Sequence, residues 1–281
     1  MRLWLSLLLS AVLLAAGAAS ALAIPSVAGP TGIVNLPTAN TAPANEVQFG
    51  VGYRSIEMYT DVDVSLWSFQ VLKGVADDAE LWVGYQRASN GEDTDVWEFG
   101  GKYLIGEDLF PRTGFLGGTK IAIGASMGRW TDAIGMYADD PLIPTDVETL
   151  RAYLVATKQI IPTYGGEWEW GEFPGTRIFG TAGLMYLRVS PGLGETDSLI
   201  EPFFGVEIMG TRNLTLALEY RLKDSDLEDD SVFSVLFRRP FGDSTIGEVG
   251  LTNASPIGLG QGKSDLFVRF GYRVPLVTGY R

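Results

Sequence analysis

The chain contains neither cysteine nor histidine among its 281 residues. The lack of cysteine excludes disulfide bonds, thiolate metal sites, cysteine nucleophiles and lipid attachment to a cysteine. The lack of histidine removes the usual general base of hydrolases and acyltransferases, the side chain that titrates near neutral pH without perturbation. No apolar run of helix length follows residue 23, so no transmembrane helix is predicted beyond that point.

Positive charge is also scarce, because 21 Lys and Arg residues stand against 34 Asp and Glu, for a net charge of −13. This balance argues against binding to nucleic acid, whose phosphates require clustered cations. The chain has no phosphate loop, dinucleotide fingerprint or zinc-ligand spacing, so no cofactor and no metal are expected. Glu201 and Glu207 form a carboxylate pair of the kind used in glycoside hydrolysis, but along one strand they would lie about 20 Å apart. We therefore expect no catalytic residues.

Residues 1–23 have the layout of a secretory signal peptide. A positively charged start is followed by an apolar stretch over 3–16 and by the small-residue cleavage site Ala21-Leu22-Ala23. The alternative is an uncleaved anchor helix, but the apolar stretch is shorter than the ~20 residues that a membrane span needs. The sequence predicts export, with cleavage before Ile24.

Beyond this point the dominant pattern is an alternation of apolar and polar residues in short segments, most clearly in 47–54 and 214–221. A period of two places the apolar side chains on one face of a strand, with glycine and charged side chains on the other. Inside a soluble sandwich the second face would be costly. In a membrane barrel it lines the lumen, while the apolar face meets lipid. The alternation predicts an outer-membrane β-barrel.

About twelve such segments follow one another without a linker, and they predict one all-β domain over 46–281, a transmembrane antiparallel β-barrel. The candidate strands are 46–57, 62–73, 79–88, 95–105, 119–130, 147–158, 176–189, 198–209, 213–223, 231–239, 244–252 and 264–274. An even number places both chain ends at the periplasmic side, where turns are short. Two connections on that side, 106–118 and 159–175, are longer than this picture expects.

Several polar strand faces carry charged residues near the middle of the segment. Isolated charges in lipid would be prohibitive, so these side chains are expected to face the lumen and largely to pair with one another. A narrow lumen crossed by such pairs need not conduct. The candidates are Glu98, Lys102, Arg151, Glu201, Glu207, Glu219, Arg221 and Arg269.

Aromatic residues gather near the strand ends, where girdles at the two membrane interfaces would place them. They are Tyr53, Trp67, Trp82, Trp97, Tyr103, Trp130, Tyr186, Tyr220 and Tyr272. A further group, Trp168, Trp170 and Phe173, lies beside carboxylates in the connection 159–175. Such aromatics can form a stacking platform for a sugar ligand or an anchor at an interface, and the sequence leaves both interpretations open.

The segment 24–45 is rich in glycine and proline and precedes the first strand. Proline forbids regular pairing and glycine permits tight turns, so we expect an extended segment that tucks into the lumen or covers the periplasmic mouth. Its motif consists of Gly29, Pro30, Thr31, Gly32, Pro37, Thr38, Ala39 and Pro43. This string, leading into a strand, resembles the opening of YjbH-type outer-membrane proteins. The resemblance implies a β-barrel and an association with exopolysaccharide production and export.

The resulting hypothesis is a non-enzymatic outer-membrane barrel that is accessory to exopolysaccharide or cell-surface polysaccharide production or export. The expected partners are outer-membrane lipid, the barrel-assembly machinery and, as the resemblance implies, polysaccharide or its export proteins. One alternative is a general diffusion porin in which the lumen charges set ion preference. A second alternative is a secreted soluble β-sandwich that binds a ligand.

Overall fold

The computed structural model describes residues 26, 30, 32–57, 63–89, 93–106, 116–133, 145–168, 171–192, 196–210, 214–222, 231–254 and 260–276, with no side-chain description at some strand ends, including all of 161–175. The signal peptide predicted for 1–23 lies outside these residues. The described part of the chain contains no helix long and apolar enough to cross a membrane.

The described residues form twelve strands in chain order. They are β1 (Glu46–Glu57), β2 (Asp63–Ala76), β3 (Ala79–Ser89), β4 (Asp93–Gly106), β5 (Thr119–Ala133), β6 (Thr145–Trp168), β7 (Gly171–Pro191), β8 (Asp197–Met209), β9 (Thr215–Arg221), β10 (Val232–Phe241), β11 (Thr245–Ala254) and β12 (Gly260–Pro275). Each strand pairs with its sequence neighbours, and β1 pairs antiparallel with β12, so the sheet closes into a barrel. The predicted fold class, an antiparallel barrel of about twelve strands, is confirmed.

The alternation in sequence sets which side chains face outward. In β3, Leu81 and Val83 are exposed, whereas Glu80 and Trp82, which alternate with them, are buried. The same alternation recurs in β8, β9 and β10. An apolar outer surface with charged side chains turned inward suits a lipid environment, and closure leaves no unpaired strand edge within it.

Aromatic side chains lie in contact with one another on the outside of β1 to β4. The rings of Tyr53 and Trp67 lie 4.9 Å apart, and those of Tyr85 and Trp97 lie 4.8 Å apart. The Tyr85 hydroxyl donates to Asp95 Oδ1 at 2.6 Å. Such a group is typical of the membrane interface, where one end of an aromatic side chain is apolar and the other wet.

The girdle prediction is wrong for two tryptophans. Trp82 and Trp130 are 4% and 3% exposed and lie on the interior face of β3 and β5. Tyr53, Trp67, Trp97, Tyr103, Tyr220 and Tyr272 are exposed, and Tyr186 is half-buried. Position near a strand end does not distinguish the two faces, whereas the strand period does, since Trp82 shares its parity with the buried Glu80.

Interior rings pack directly onto glycine residues of the neighbouring strand. A Cβ atom at Gly124 would lie 2.3 Å from Tyr153 Oη, and one at Gly100 would lie 2.3 Å from Trp82 Cζ2. Both rings are buried. Because each glycine has no side chain, the ring of the neighbouring strand packs closely against its backbone.

The segment 159–175 is not the irregular connection that the sequence suggests. β6 and β7 remain paired with each other as far as Trp168 and Gly171. The pairing of β6 with β5 ends at Lys158, and that of β7 with β8 ends at Arg177. Beyond these points the two strands extend past their neighbours as a hairpin. Register shifts in this stretch break the alternation, which is why the sequence pattern does not predict it.

Candidate functional site

The interior of the barrel contains part of the chain that precedes β1. We call residues 32–45 the inner segment. Gly32 and Pro37 form an isolated antiparallel bridge, and Ile33 N donates to Leu36 O at 3.0 Å, which makes a tight turn. Ile33, Leu36 and Ala39 are each at most 1% exposed. The apolar side chains of the inner segment are thus covered by the wall, whereas Pro43 and Asn45 at its end are exposed.

Glu219 on β9 holds this turn through its carboxylate. Val34 N, Asn35 N and Leu36 N all donate to it, at 3.0 to 3.1 Å. Asn35 Nδ2 and Ser234 Oγ donate to Oε1 at 2.8 and 2.7 Å. Glu219 is 2% exposed. Three successive backbone N–H groups around one anionic group form a nest, which stabilises a buried charge through peptide dipoles.

Arg238 on β10 binds the same turn from its carbonyl side. Its Nη2 donates to Gly32 O at 3.2 Å and to Ile33 O at 3.1 Å. The guanidinium also pairs with Glu207 at 2.9 Å and with Glu248 at 2.5 Å. Because four hydrogen bonds join the guanidinium to two carboxylates and two carbonyls, the burial of this cation is compensated.

Lys102 on β4 and Glu80 on β3 hold the later part of the inner segment. Their side chains form a fully buried ion pair with an N–O distance of 2.8 Å. Lys102 Nζ also donates to Thr38 O at 3.1 Å, and Glu80 Oε2 accepts from Ala42 N at 2.8 Å. Each member of the pair therefore also binds a peptide group of the inner segment.

These anchors lie on opposite sides of the barrel. In the closed order of twelve strands, β3 and β4 are six positions away from β9 and β10. Between them, Ala39 N donates to Thr157 Oγ1 on β6 at 2.9 Å. Lys73 on β2 then binds Ala44 O at 3.2 Å just before β1 begins. The inner segment therefore crosses the lumen from wall to wall.

Apolar side chains complete the filling of the interior. Leu36, Ala39 and Ala42 belong to a cluster of buried residues that also contains Leu72, Trp82, Leu104, Ala122, Tyr153, Val155, Met185 and Phe203. A second cluster lies nearer the opposite end of the barrel and consists of Val96, Trp130, Val147, Leu187, Val189 and Leu199. Burial of these side chains favours a packed interior over a hydrated one.

All eight charged residues predicted to line the lumen lie on the interior face, and seven are buried while Glu207 is partly buried. Two of the expected mutual pairs form. Arg151 Nη1 lies 2.9 Å from Glu98 Oε1, and Arg221 Nε lies 2.6 Å from Glu201 Oε2.

The other candidates bind residues that the sequence interpretation did not single out. Lys102 pairs with Glu80, Glu207 with Arg238, and Arg269 with Glu248. A further buried pair, Arg54 with Asp265, was likewise missed. The signal that could have found them is parity, because each lies on the interior face in its strand.

The expectation that ion pairs cross the lumen is wrong. The pairs join neighbouring or next-neighbouring strands, as Glu80 on β3 with Lys102 on β4, or Glu98 on β4 with Arg151 on β6. Interior side chains in register on adjacent strands are only about 5 Å apart, so they meet along the wall. The feature that crosses the lumen is the inner segment.

The residues of the family motif fall partly in this site. Gly32, Pro37, Thr38, Ala39 and Pro43 belong to the inner segment, and Pro30 is buried as well. Gly29 and Thr31 lie outside the described residues. Of the three candidate ligand or interface aromatics, Trp168 and Phe173 lie in β6 and β7 without described side chains, and Trp170 lies outside the described residues. Within the described part of the chain, no group of three or more acidic residues is arranged to hold a metal ion.

No protein-family model matches the chain, and no curated protein matches it. Solved structures do resemble it. KdgM porin has a TM-score of 0.50 at 10% identity, with 81% of this chain and 98% of that chain covered. KdgM porin in complex with disordered oligogalacturonate has a TM-score of 0.50 at 12% identity, with 79% and 98% covered. The chain is an outer-membrane β-barrel.

A third similar structure is the translocator domain of autotransporter NalP from Neisseria meningitidis, with a TM-score of 0.43 at 15% identity and coverage of 82% and 87%. At these identities the likeness concerns the fold, and the barrel's ligands must be inferred from its own interior. That interior is dominated by the inner segment and by the side chains that bind it.

Proposed function

We propose that this outer-membrane barrel is a closed, non-enzymatic accessory of exopolysaccharide or other cell-surface polysaccharide production or export. Closure of the lumen is inferred from the inner segment, which Glu219 anchors on one side of the lumen and Glu80 anchors on the other. The resemblance of its motif to YjbH-type proteins supports the polysaccharide role. The barrel would act as a membrane scaffold for export partners, without conducting the sugar itself.

A general diffusion porin is the second candidate, because the fold resembles KdgM porin. The KdgM structure with oligogalacturonate concerns an acidic sugar chain. In the described part of this chain, the buried charged side chains comprise seven acidic and six basic residues. This balance supplies no excess of positive charge, which a polyanionic sugar would need. The buried charges therefore favour the accessory role over an acidic-sugar porin.

Deletion of the gene in its source bacterium, followed by measurement of surface polysaccharide, tests the role. We expect polysaccharide on the cell surface to fall and the native gene to restore it. The matched control is Asp146→Asn, which alters an exposed ion pair with Arg129 and should restore surface polysaccharide equally well. An unchanged amount of surface polysaccharide in the deletion strain would contradict the proposal. Restoration by an unrelated barrel would also contradict it, because the loss would then be a general effect on the membrane.

A further inference from the structure

The wall of the barrel binds the inner segment chiefly through the backbone of that segment. Nine backbone groups of residues 32–44 bond to wall side chains: the N–H groups of Val34, Asn35, Leu36, Ala39 and Ala42 and the carbonyl groups of Gly32, Ile33, Thr38 and Ala44. A backbone pattern of this kind can be provided by many sequences.

The wall is also matched to the polarity of a peptide chain. Carboxylates of Glu219 and Glu80 face N–H groups, whereas Arg238 and Lys102 face carbonyl groups. Charge-assisted hydrogen bonds are the strong ones in a buried site. Three consecutive N–H groups converge on Glu219, a spacing that the peptide backbone itself provides.

Side chains of the segment add a limited selectivity. Gly205 on β8 leaves a space for Ile33, since a Cβ atom there would lie 2.2 Å from Ile33 Cδ1. A Cβ atom at Gly32 would lie 2.3 Å from Leu36 O, so the turn requires glycine. Ala39 is completely buried. The site thus selects a glycine turn, an apolar residue after it and a small residue further on.

We infer that the interior of this barrel is a binding site for an extended polypeptide, which its own inner segment occupies and which a matching segment from another chain can take. This inference rests on the proposed closure by the inner segment. It names the ligand as polypeptide, recognised by backbone polarity and by the space over Gly205. A partner protein carrying such a segment would exchange with the inner segment, so that docking in the lumen and release of the N-terminus are coupled.

Peptide exchange in detergent tests the inference. A site-specific protease sequence is inserted between Ala44 and Asn45, where Asn45 is exposed, and the folded protein is cut after purification. A fluorescent synthetic peptide of residues 24–44 is then added, and its anisotropy is followed. We expect saturable binding that excess unlabelled peptide reverses. A peptide with Gly32→Val should bind at least about tenfold more weakly, because its turn cannot close.

A compensating pair of substitutions identifies the site. In the cut barrel with Gly205→Val, the native peptide should bind about tenfold more weakly, because Ile33 loses its space. The Ile33→Ala peptide should bind this variant better than the native peptide does, while binding the unaltered barrel less well.

If cutting unfolds the barrel, the uncut chain with Gly32→Val is used instead. Its own inner segment should bind the wall more weakly, so that the added peptide displaces it. No saturable binding to either form, or equal binding of a scrambled peptide, would overturn the inference. Binding of an oligosaccharide that competes with the peptide would overturn its restriction to polypeptide. Failure of the proposed closure is seen separately, as ion conduction by the native uncut chain.

Discussion

Charged side chains of the interior bind one another and the backbone of the inner segment. Transfer of an unpaired charge into a protein interior is costly, and removal of one partner of a buried pair leaves that cost exposed. Glu219 is the clearest case, because its hydrogen bonds come from peptide N–H groups, Asn35 and Ser234. Its replacement should therefore affect the inner segment before it affects the barrel wall.

We predict that Glu219→Gln loosens the inner segment and lowers the free energy of unfolding by about 2–4 kcal/mol, since several charge-assisted hydrogen bonds are lost around a buried group. The measurement is the midpoint guanidinium concentration, at which half of the unboiled protein no longer migrates as the folded form on a gel. The control Asp146→Asn removes a carboxylate of an exposed ion pair and should leave the midpoint nearly unchanged, because solvent screens such a pair. Equal effects of the two variants would contradict the role assigned to Glu219.

The close packing of rings on glycine gives a second prediction at this scale. Gly124→Ala places a methyl group 2.3 Å from Tyr153 Oη and should destabilise the barrel by about 1–3 kcal/mol through overpacking. Gly84→Ala is the matched control, because the nearest atom to its Cβ lies 3.7 Å away. The same gel midpoint compares them. A Gly124→Ala barrel as stable as the Gly84→Ala barrel would show that the ring moves aside freely.

Among the elements, the β6–β7 hairpin stands apart because, within the described residues, its outer part pairs only with itself. Past Lys158 and Arg177 the two strands have no further register partners in β5 and β8. A two-stranded ribbon contributes little to the stability of a sheet on its own. The extension is therefore separable from the closed wall.

Replacement of residues 160–178 by Asn-Gly should leave a folded barrel, because Gln159 then meets its register partner Phe179 across a two-residue turn. The remaining parts of β6 and β7 keep their ladders with both neighbours, and Asn-Gly suits a two-residue hairpin. The measurement is heat-dependent gel migration in the outer-membrane fraction. As a control, shortening β6 to end at Tyr153 removes register partners of β5 and should abolish folding. Loss of the folded form in the first variant would assign the extension a part in assembly.

For the whole molecule, the sequence predicted the barrel well because lipid and lumen impose a period of two on every strand. That period predicts about twelve strands and the inward position of Glu98 and Arg151. The same signal was present for Glu80 and Trp82 but was overlooked in favour of position along the strand. The contacts of the inner segment could not be predicted, because hydrogen bonds to backbone groups leave no periodic trace in the sequence, as Glu219 illustrates.

The central claim is that the inner segment closes the barrel, and conductance in planar lipid bilayers tests it most directly. The native protein, verified as folded by its heat-dependent migration, should give no steady ion current. A variant in which residues 32–43 are replaced by a short flexible linker, verified in the same way, should conduct, because the main structure crossing the lumen is gone. Stable open channels formed by the native protein would contradict the account and would favour the porin.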